Sequence, residues 1–123
     1  MDTDPSMEEL KIEVTKGASG VRLFRLSGPL TLNTLFDFQA QARAETSAPI
    51  IIDLSEVPYM DSAGLGALLG VYASCQRNGR GFGVAGSQDR IRTLFKVTHV
   101  DGLVPTFDSV ERAEQKLSKT AGA

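Results

Sequence analysis

Ile50-Ile51-Ile52-Asp53-Leu54-Ser55-Glu56-Val57-Pro58-Tyr59-Met60-Asp61-Ser62-Ala63-Gly64-Leu65-Gly66 is the stretch on which the reading of this chain turns. Its opening run of β-branched residues has no polar alternation, so it predicts a central strand covered on both faces. From Ser62 to about Asn78 the pattern changes period. Leu65, Leu68, Leu69 and Tyr72 fall at i, i+3, i+4 and i+7, a helical stripe. Gly79 supplies a residue able to close that helix in a left-handed conformation. The segment between strand and helix therefore lies at the carboxyl end of a sheet strand, where open α/β sheets place their functional loops.

Working outward, Leu10, Ile12 and Val14 alternate with Lys11, Glu13 and Thr15, predicting a half-buried strand with the three apolar residues on one face. After the turn Gly17-Ala18-Ser19-Gly20, Val21 to Leu26 resumes as a second strand, so the two form an antiparallel hairpin. Gly28-Pro29 ends it. Thr31 or Asn33 then caps a helix through about Glu45, with Leu32, Leu35, Phe36 and Phe38 turned inward. Beyond the central helix, Gly81 to Ala85 is a glycine-diluted strand. A helix carrying Ile91, Leu94, Phe95 and Thr98 follows, with Ser87 or Asp89 as cap. Leu103 to Phe107 is a last strand, which Pro105 assigns to a sheet edge. Asp108, three residues before Glu111, starts a closing helix with Val110, Ala113 and Leu117 together. The order β-β-α-β-α-β-α-β-α implies a small α/β domain. Its sheet has four to five strands, mixed but mostly parallel, with an opening hairpin and about four helices. Residues 1–9 and 119–123 read as disordered tails around a domain at 10–118.

Composition narrows the function. With 123 residues there is room for one domain, and 41% apolar residues suffice for its core. A net charge of −2 argues against a dedicated nucleic-acid binder. One cysteine and one histidine, Cys75 and His99, exclude a disulfide framework and a Cys- or His-rich metal site. Cys75 reads as a small buried hydrophobe and His99 as a loop or helix-end residue. The acidic start Met1-Asp2-Thr3-Asp4, with no apolar region after it, is not expected to be a secretory leader, and no apolar run approaches the ~18 residues of a membrane span. A cytoplasmic protein is expected.

The chemistry concentrates at Asp61-Ser62. A hydroxyl in the first turn of a helix meets free N–H groups and a partial positive charge, a place that tolerates a phosphate. Ala63, Gly64 and Gly66 leave the backbone open to a partner. The same residues also serve as an ordinary helix start, with Asp61 or Ser62 as cap. A serine nucleophile is a poor fit, because a nucleophile elbow needs glycine where Met60 stands and nothing places His99 beside Ser62. The segment from Asp53 to Asp61 also looks like a receiver-domain phosphoacceptor loop. That reading fails, because Thr15-Lys16-Gly17 holds no acid to bind Mg²⁺ and Asp108-Ser109 holds no lysine.

Asp61-Ser62-Ala63-Gly64-Leu65-Gly66 resembles the Asp-Ser-(Ser/Thr/Ala)-Gly-Leu-Gly signature of the anti-sigma factor antagonist family, whose members have the STAS fold. Leu26-Ser27-Gly28, the Ile-Ile-Asp-Leu strand, Arg92 to Thr98 and Asp108 to Ala113 extend the likeness from about Leu10 to Leu117. The resemblance implies a non-enzymatic switch without cofactor, catalytic residue or metal, acting in transcription regulation. Such a protein binds an anti-sigma factor that is an ATP-dependent serine kinase and so frees a sigma factor. Phosphorylation at Ser62 ends the binding, and a serine phosphatase restores it. The implied partner-binding set is Asp61, Met60, Ala63, Gly64, Leu65, Leu30, Thr31 and Leu32. Of these, Leu30, Leu32, Met60 and Leu65 are either an exposed apolar patch or ordinary core. Gly28-Pro29-Leu30-Thr31 departs from the Gly-Glu-(Leu/Ile)-Asp of many phosphorylated members. The departure implies a different partner or a more apolar docking loop. It leaves two alternatives open: a non-phosphorylated STAS subunit of a lipid-transport ATPase, and a subunit of a stress-sensing scaffold. No nucleic-acid partner and no membrane insertion are expected.

Overall fold

The structure, a computed structural model, describes residues 9–17 and 20–121, with side chains in the closing helix as far as Leu117. Five strands form one sheet in the order of the chain, β1 (Lys11–Lys16), β2 (Arg22–Ser27), β3 (Ile50–Glu56), β4 (Phe82–Ala85) and β5 (Thr106–Phe107). β1 and β2 are antiparallel and every later pairing is parallel. The helices α1 (Leu35–Ala44), α2 (Ser62–Arg77), α3 (Asp89–Val97) and α4 (Val110–Ala121) make the connections and close the chain.

The isoleucine run is the middle strand, and both its faces are covered. Ile50, Ile52 and Leu54 enter the larger core with Phe24, Phe38, Leu68, Ile91 and Phe95, under α1, α2 and α3. Ile51 points the other way into a smaller core with Val21, Leu23, Ala85, Ala113 and Leu117, beneath α4. A strand with two apolar partners has no use for polar alternation, which is why its sequence shows none. Beyond the reach of α4 that second face turns polar. Glu13, Arg25 and Asp53 stand side by side across three strands. Arg25 Nε donates to the buried Asp53 carboxylate at 3.0 Å.

Several sequence expectations need correction. Val14 is 39% exposed, because β1 is an edge strand of the sheet. α1 starts only at Leu35. Thr34 Oγ1 accepts from the Thr31 N–H and donates to the Pro29 carbonyl, which winds residues 29–34 into turns and delays the helical phase. Leu35, Phe38 and Ala42 face inward as a result, while Leu32 and Phe36 face solvent. In α2 the buried line is Gly64, Leu68, Val71 and Cys75, and Leu69 and Tyr72 sit half-buried on its flank. Gln88 rather than Ser87 or Asp89 precedes α3, and its side chain makes no capping bond. β5 is shorter than expected, since residues 100–104 turn on themselves through bonds from the Leu103 and Val104 N–H groups to the Val100 carbonyl. Ser109, not Asp108, caps α4 by accepting from the Arg112 N–H at 3.2 Å. α4 runs to Ala121, past the expected domain end at 118. The expected amino-terminal tail, apart from Glu9, and the last two residues of the expected carboxyl-terminal tail lie outside the described residues, as do Ala18 and Ser19 of the hairpin turn.

Candidate functional site

The loop after β3 keeps contact with the loop after β2. Leu30 and Met60 form a short parallel bridge. In it the Leu30 N–H donates to the Tyr59 carbonyl and the Asp61 N–H to the Leu30 carbonyl. The sheet pairing is thus carried past the ends of β2 and β3, with α2 beginning directly after it. Asp61 is the residue preceding that helix, extended at φ −98°. Its Oδ1 accepts from the Gly64 N–H at 2.8 Å, and its Oδ2 accepts from the Leu32 N–H at 3.1 Å. One carboxylate therefore caps α2 and also ties the β2–α1 loop to it.

The bridge determines which predicted residues are surface. Leu30 and Met60 lie in the core, as does Leu65, so none offers its side chain to a partner. This corrects the apolar patch expected from those residues, of which Leu32 alone, 57% exposed, remains outside. Gly64 is buried because the Leu30 carbonyl oxygen rests where its Cβ would be, so glycine is required there. Gly66 differs, since a Cβ there would meet nothing within 4 Å. Thr31, Asp61 and Ala63 are half-buried, and Ser62, the first residue of α2, is exposed. Two exposed side chains at the same end of the sheet were missed in the sequence, Phe36 at 61% and Tyr59 at 45%. The spacing of Phe36 points it inward, and only the late start of α1 turns it out. Tyr59 carried a usable signal, because a large aromatic beside Pro58 in a carboxyl-end loop has no core strand to bury it.

Ser62 thus presents a hydroxyl to solvent at a helix N-terminus, beside a carboxylate whose two oxygens are both occupied. His99 is the left-handed residue that ends α3 (φ 62°), at the opposite pole of the sheet. The site therefore has an exposed hydroxyl at a helix N-terminus, without an imidazole beside it. The STAS domain model matches residues 12–113. The chain belongs to the STAS domain family.

Relatives place it within the anti-sigma factor antagonist members of that family. An anti-sigma-B factor antagonist of Staphylococcus aureus is 30% identical over 81 residues, covering 66% of this STAS chain and 75% of that protein. The crystal structure of an anti-sigma factor antagonist from Mycobacterium paratuberculosis superposes with a TM-score of 0.79 at 23% identity, over 88% of this chain and 93% of that one. The Bacillus cell fate determinant SpoIIAA in its phosphorylated form gives a TM-score of 0.70 at 17% identity, over 86% and 98% of the two chains. No described helix of this STAS protein is long and apolar enough to cross a membrane.

Proposed function

We propose that this protein is an anti-sigma factor antagonist switched at Ser62. In its unmodified state it binds an anti-sigma factor through the surface around the α2 N-terminus and so frees a sigma factor. The serine-kinase activity of that partner, using ATP, phosphorylates Ser62 and ends the complex, and a serine phosphatase reverses the step. The protein itself catalyses nothing and works in the cytoplasm, where sigma factors act. The observation that carries the reading is the exposed Ser62 hydroxyl at the first position of a helix capped by Asp61, with exposed Leu32 tied to the same carboxylate.

The physics of the switch is local. A phosphoserine carries about −1.5 to −2 charges at neutral pH. The α2 dipole offsets only ~0.3–1 kcal/mol of this at an exposed terminus. Asp61 adds like charge beside it. Sealing such an anion into an interface without matching cations costs several kcal/mol. Each ~1.4 kcal/mol is a tenfold loss in affinity, so binding falls by orders of magnitude while the fold stays as it is. The docking surface consists of Ser62, Leu32, Phe36 and Tyr59 with the open backbone at Gly66. The apolar loop Pro29-Leu30-Thr31 contributes through its backbone and Thr31.

The test is incubation with candidate anti-sigma factor kinases and ATP, followed by mass spectrometry. One added phosphate at Ser62 is expected. Ser62→Ala should bind the partner and resist modification, and Ser62→Asp should bind it at least tenfold more weakly. Equal partner binding by the wild type and both variants overturns the reading.

A further inference from the structure

We propose that the cleft between α1 and α2, which runs from Gln39 and Ala67 to the C-terminal ends of both helices, binds a multivalent oxyanion of the phosphate class. Helices α1 and α2 both follow strands and run back across the sheet, so their C-terminal halves meet at the end away from the switch loop. There they enclose a cavity of about 370 Å³ lined by Gln39, Arg43, Gly70, Ser74, Arg77 and Arg80, among others, with no carboxylate in its wall. Three arginines thus line one cleft with no acid among its lining residues to balance them.

The ordinary explanation of basic residues at helix ends covers only part of this. Arg43 and Arg77 lie in the last turns of α1 and α2, where a cation complements the helix dipole. Arg80 lies beyond the end of α2. Its Nη1 donates to the Ala48 carbonyl at 3.0 Å, while its Nε is buried with no hydrogen-bond partner. The ion pairs Arg22–Glu45, Arg25–Glu13, Arg25–Asp53 and Arg92–Asp108 use none of the cleft arginines. The nearby Glu45 is taken up by Arg22 and by the Ser47 and Ala48 N–H groups.

The ligand class follows from the donors. Guanidinium forks match phosphate oxygens two at a time, and several of them select for several oxygens. Ser74 and Gln39 add neutral donors. A Cβ at Gly70 would meet nothing within 4 Å, so the α2 surface there is open to close approach. The volume lies within the range of small-ligand pockets, and a chain of linked phosphates fits it better than a single small ion.

The test titrates the full-length protein with inorganic triphosphate at physiological salt, read by calorimetry and by amide NMR shifts. Saturable one-to-one binding is expected, with shifts centred on residues 70–80 and sulfate binding more weakly. The double variant R43A/R77A should lose at least about tenfold in affinity, the order expected for removing charge-assisted bidentate contacts. Gly70→Leu keeps all three arginines but fills the cleft, and should lose as much. Ser62→Asp should bind triphosphate as the wild type does, since Ser62 does not line the cleft. A parallel titration with ATP separates the sources. Equal affinity points to nucleotides as well as inorganic chains, weaker affinity to inorganic chains alone, and either supports the site. Non-saturating binding in the millimolar range, or affinity unaltered by both R43A/R77A and Gly70→Leu, overturns it.

Discussion

Asp61 does two tasks with one carboxylate, and the glycines around it separate structure from surface. Replacing Asp61 with Ala removes the α2 cap and the tie to Leu32, and should cost about 1–2 kcal/mol in chemical denaturation. Gly64→Ala forces its new methyl onto the Leu30 carbonyl, with an expected cost of about 1–3 kcal/mol. Gly66→Ala meets open space and should instead stabilise α2 by roughly 0.5–1 kcal/mol. If a partner approaches the backbone there, the same variant should bind less tightly although it is the more stable protein. Cys75 is a further residue-scale test. Burial holds its thiol above the ordinary value, outweighing the opposing pull of Arg80. It should therefore resist alkylation in the native state and react on unfolding, as read by mass spectrometry.

At the scale of elements, α1 ends where Glu45 turns its side chain forward. The Ala48 N–H most of all, then the Ser47 N–H and the Arg22 guanidinium, hold this carboxyl down to about 2 from an ordinary 4.5. A depressed carboxyl stabilises the native state above the unfolded value, and that contribution disappears as pH falls through the folded one. Stability should therefore drop by roughly 2 kcal/mol between about pH 4.5 and pH 2 through this group. In Glu45→Gln the acid limb of the stability curve should be flatter in that window, with lower stability at neutral pH. Thermal unfolding followed across pH checks both. The other end of α1 illustrates why spacing alone misplaced Leu32 and Phe36. Their apolar character fits an amphipathic pattern, but Thr34 bonds to Pro29 and Thr31 and starts the helix two residues beyond Asn33.

For the whole molecule, the sheet is covered unequally. Three helices build the larger core on one face, while α4 alone protects the other through Ala113, Leu117 and the half-buried Val110. Leu117 also packs against Gly81, where a Cβ would meet its Cδ2 at 2.9 Å. Leu117→Ala should cost about 2–4 kcal/mol. It should also raise amide hydrogen exchange along α4 before the central strand opens. At the strand positions that α4 does not cover, the polar ladder of Glu13, Arg25 and Asp53 takes over. Removing Arg25 leaves a buried carboxylate with the Ser55 N–H as its remaining bond, so Arg25→Ala should cost about 1–3 kcal/mol.

Order of elements, the central strand, the start of α2 at Ser62 and the edge position of β5 were all legible in the chain, because each is written in local chemistry. Those signals are β-branched runs, helical spacing, capping residues, glycine and proline. The family signature is local too, lying within six consecutive residues. Which of the loop side chains reach solvent was not legible. Leu30, Met60, Leu32 and Phe36 are all apolar and all near turns. Their sorting into core and surface depends on a bridge between residues 30 apart and on a carboxylate that reaches across to the Leu32 amide. The arginine cleft belongs to the same class, since Arg43 comes to line one cavity with Arg77 and Arg80 only when α1 packs beside α2. A sequence determines contacts whose partners are neighbours along the chain. Burial and convergence between distant segments are products of packing, and only the tertiary structure decides them.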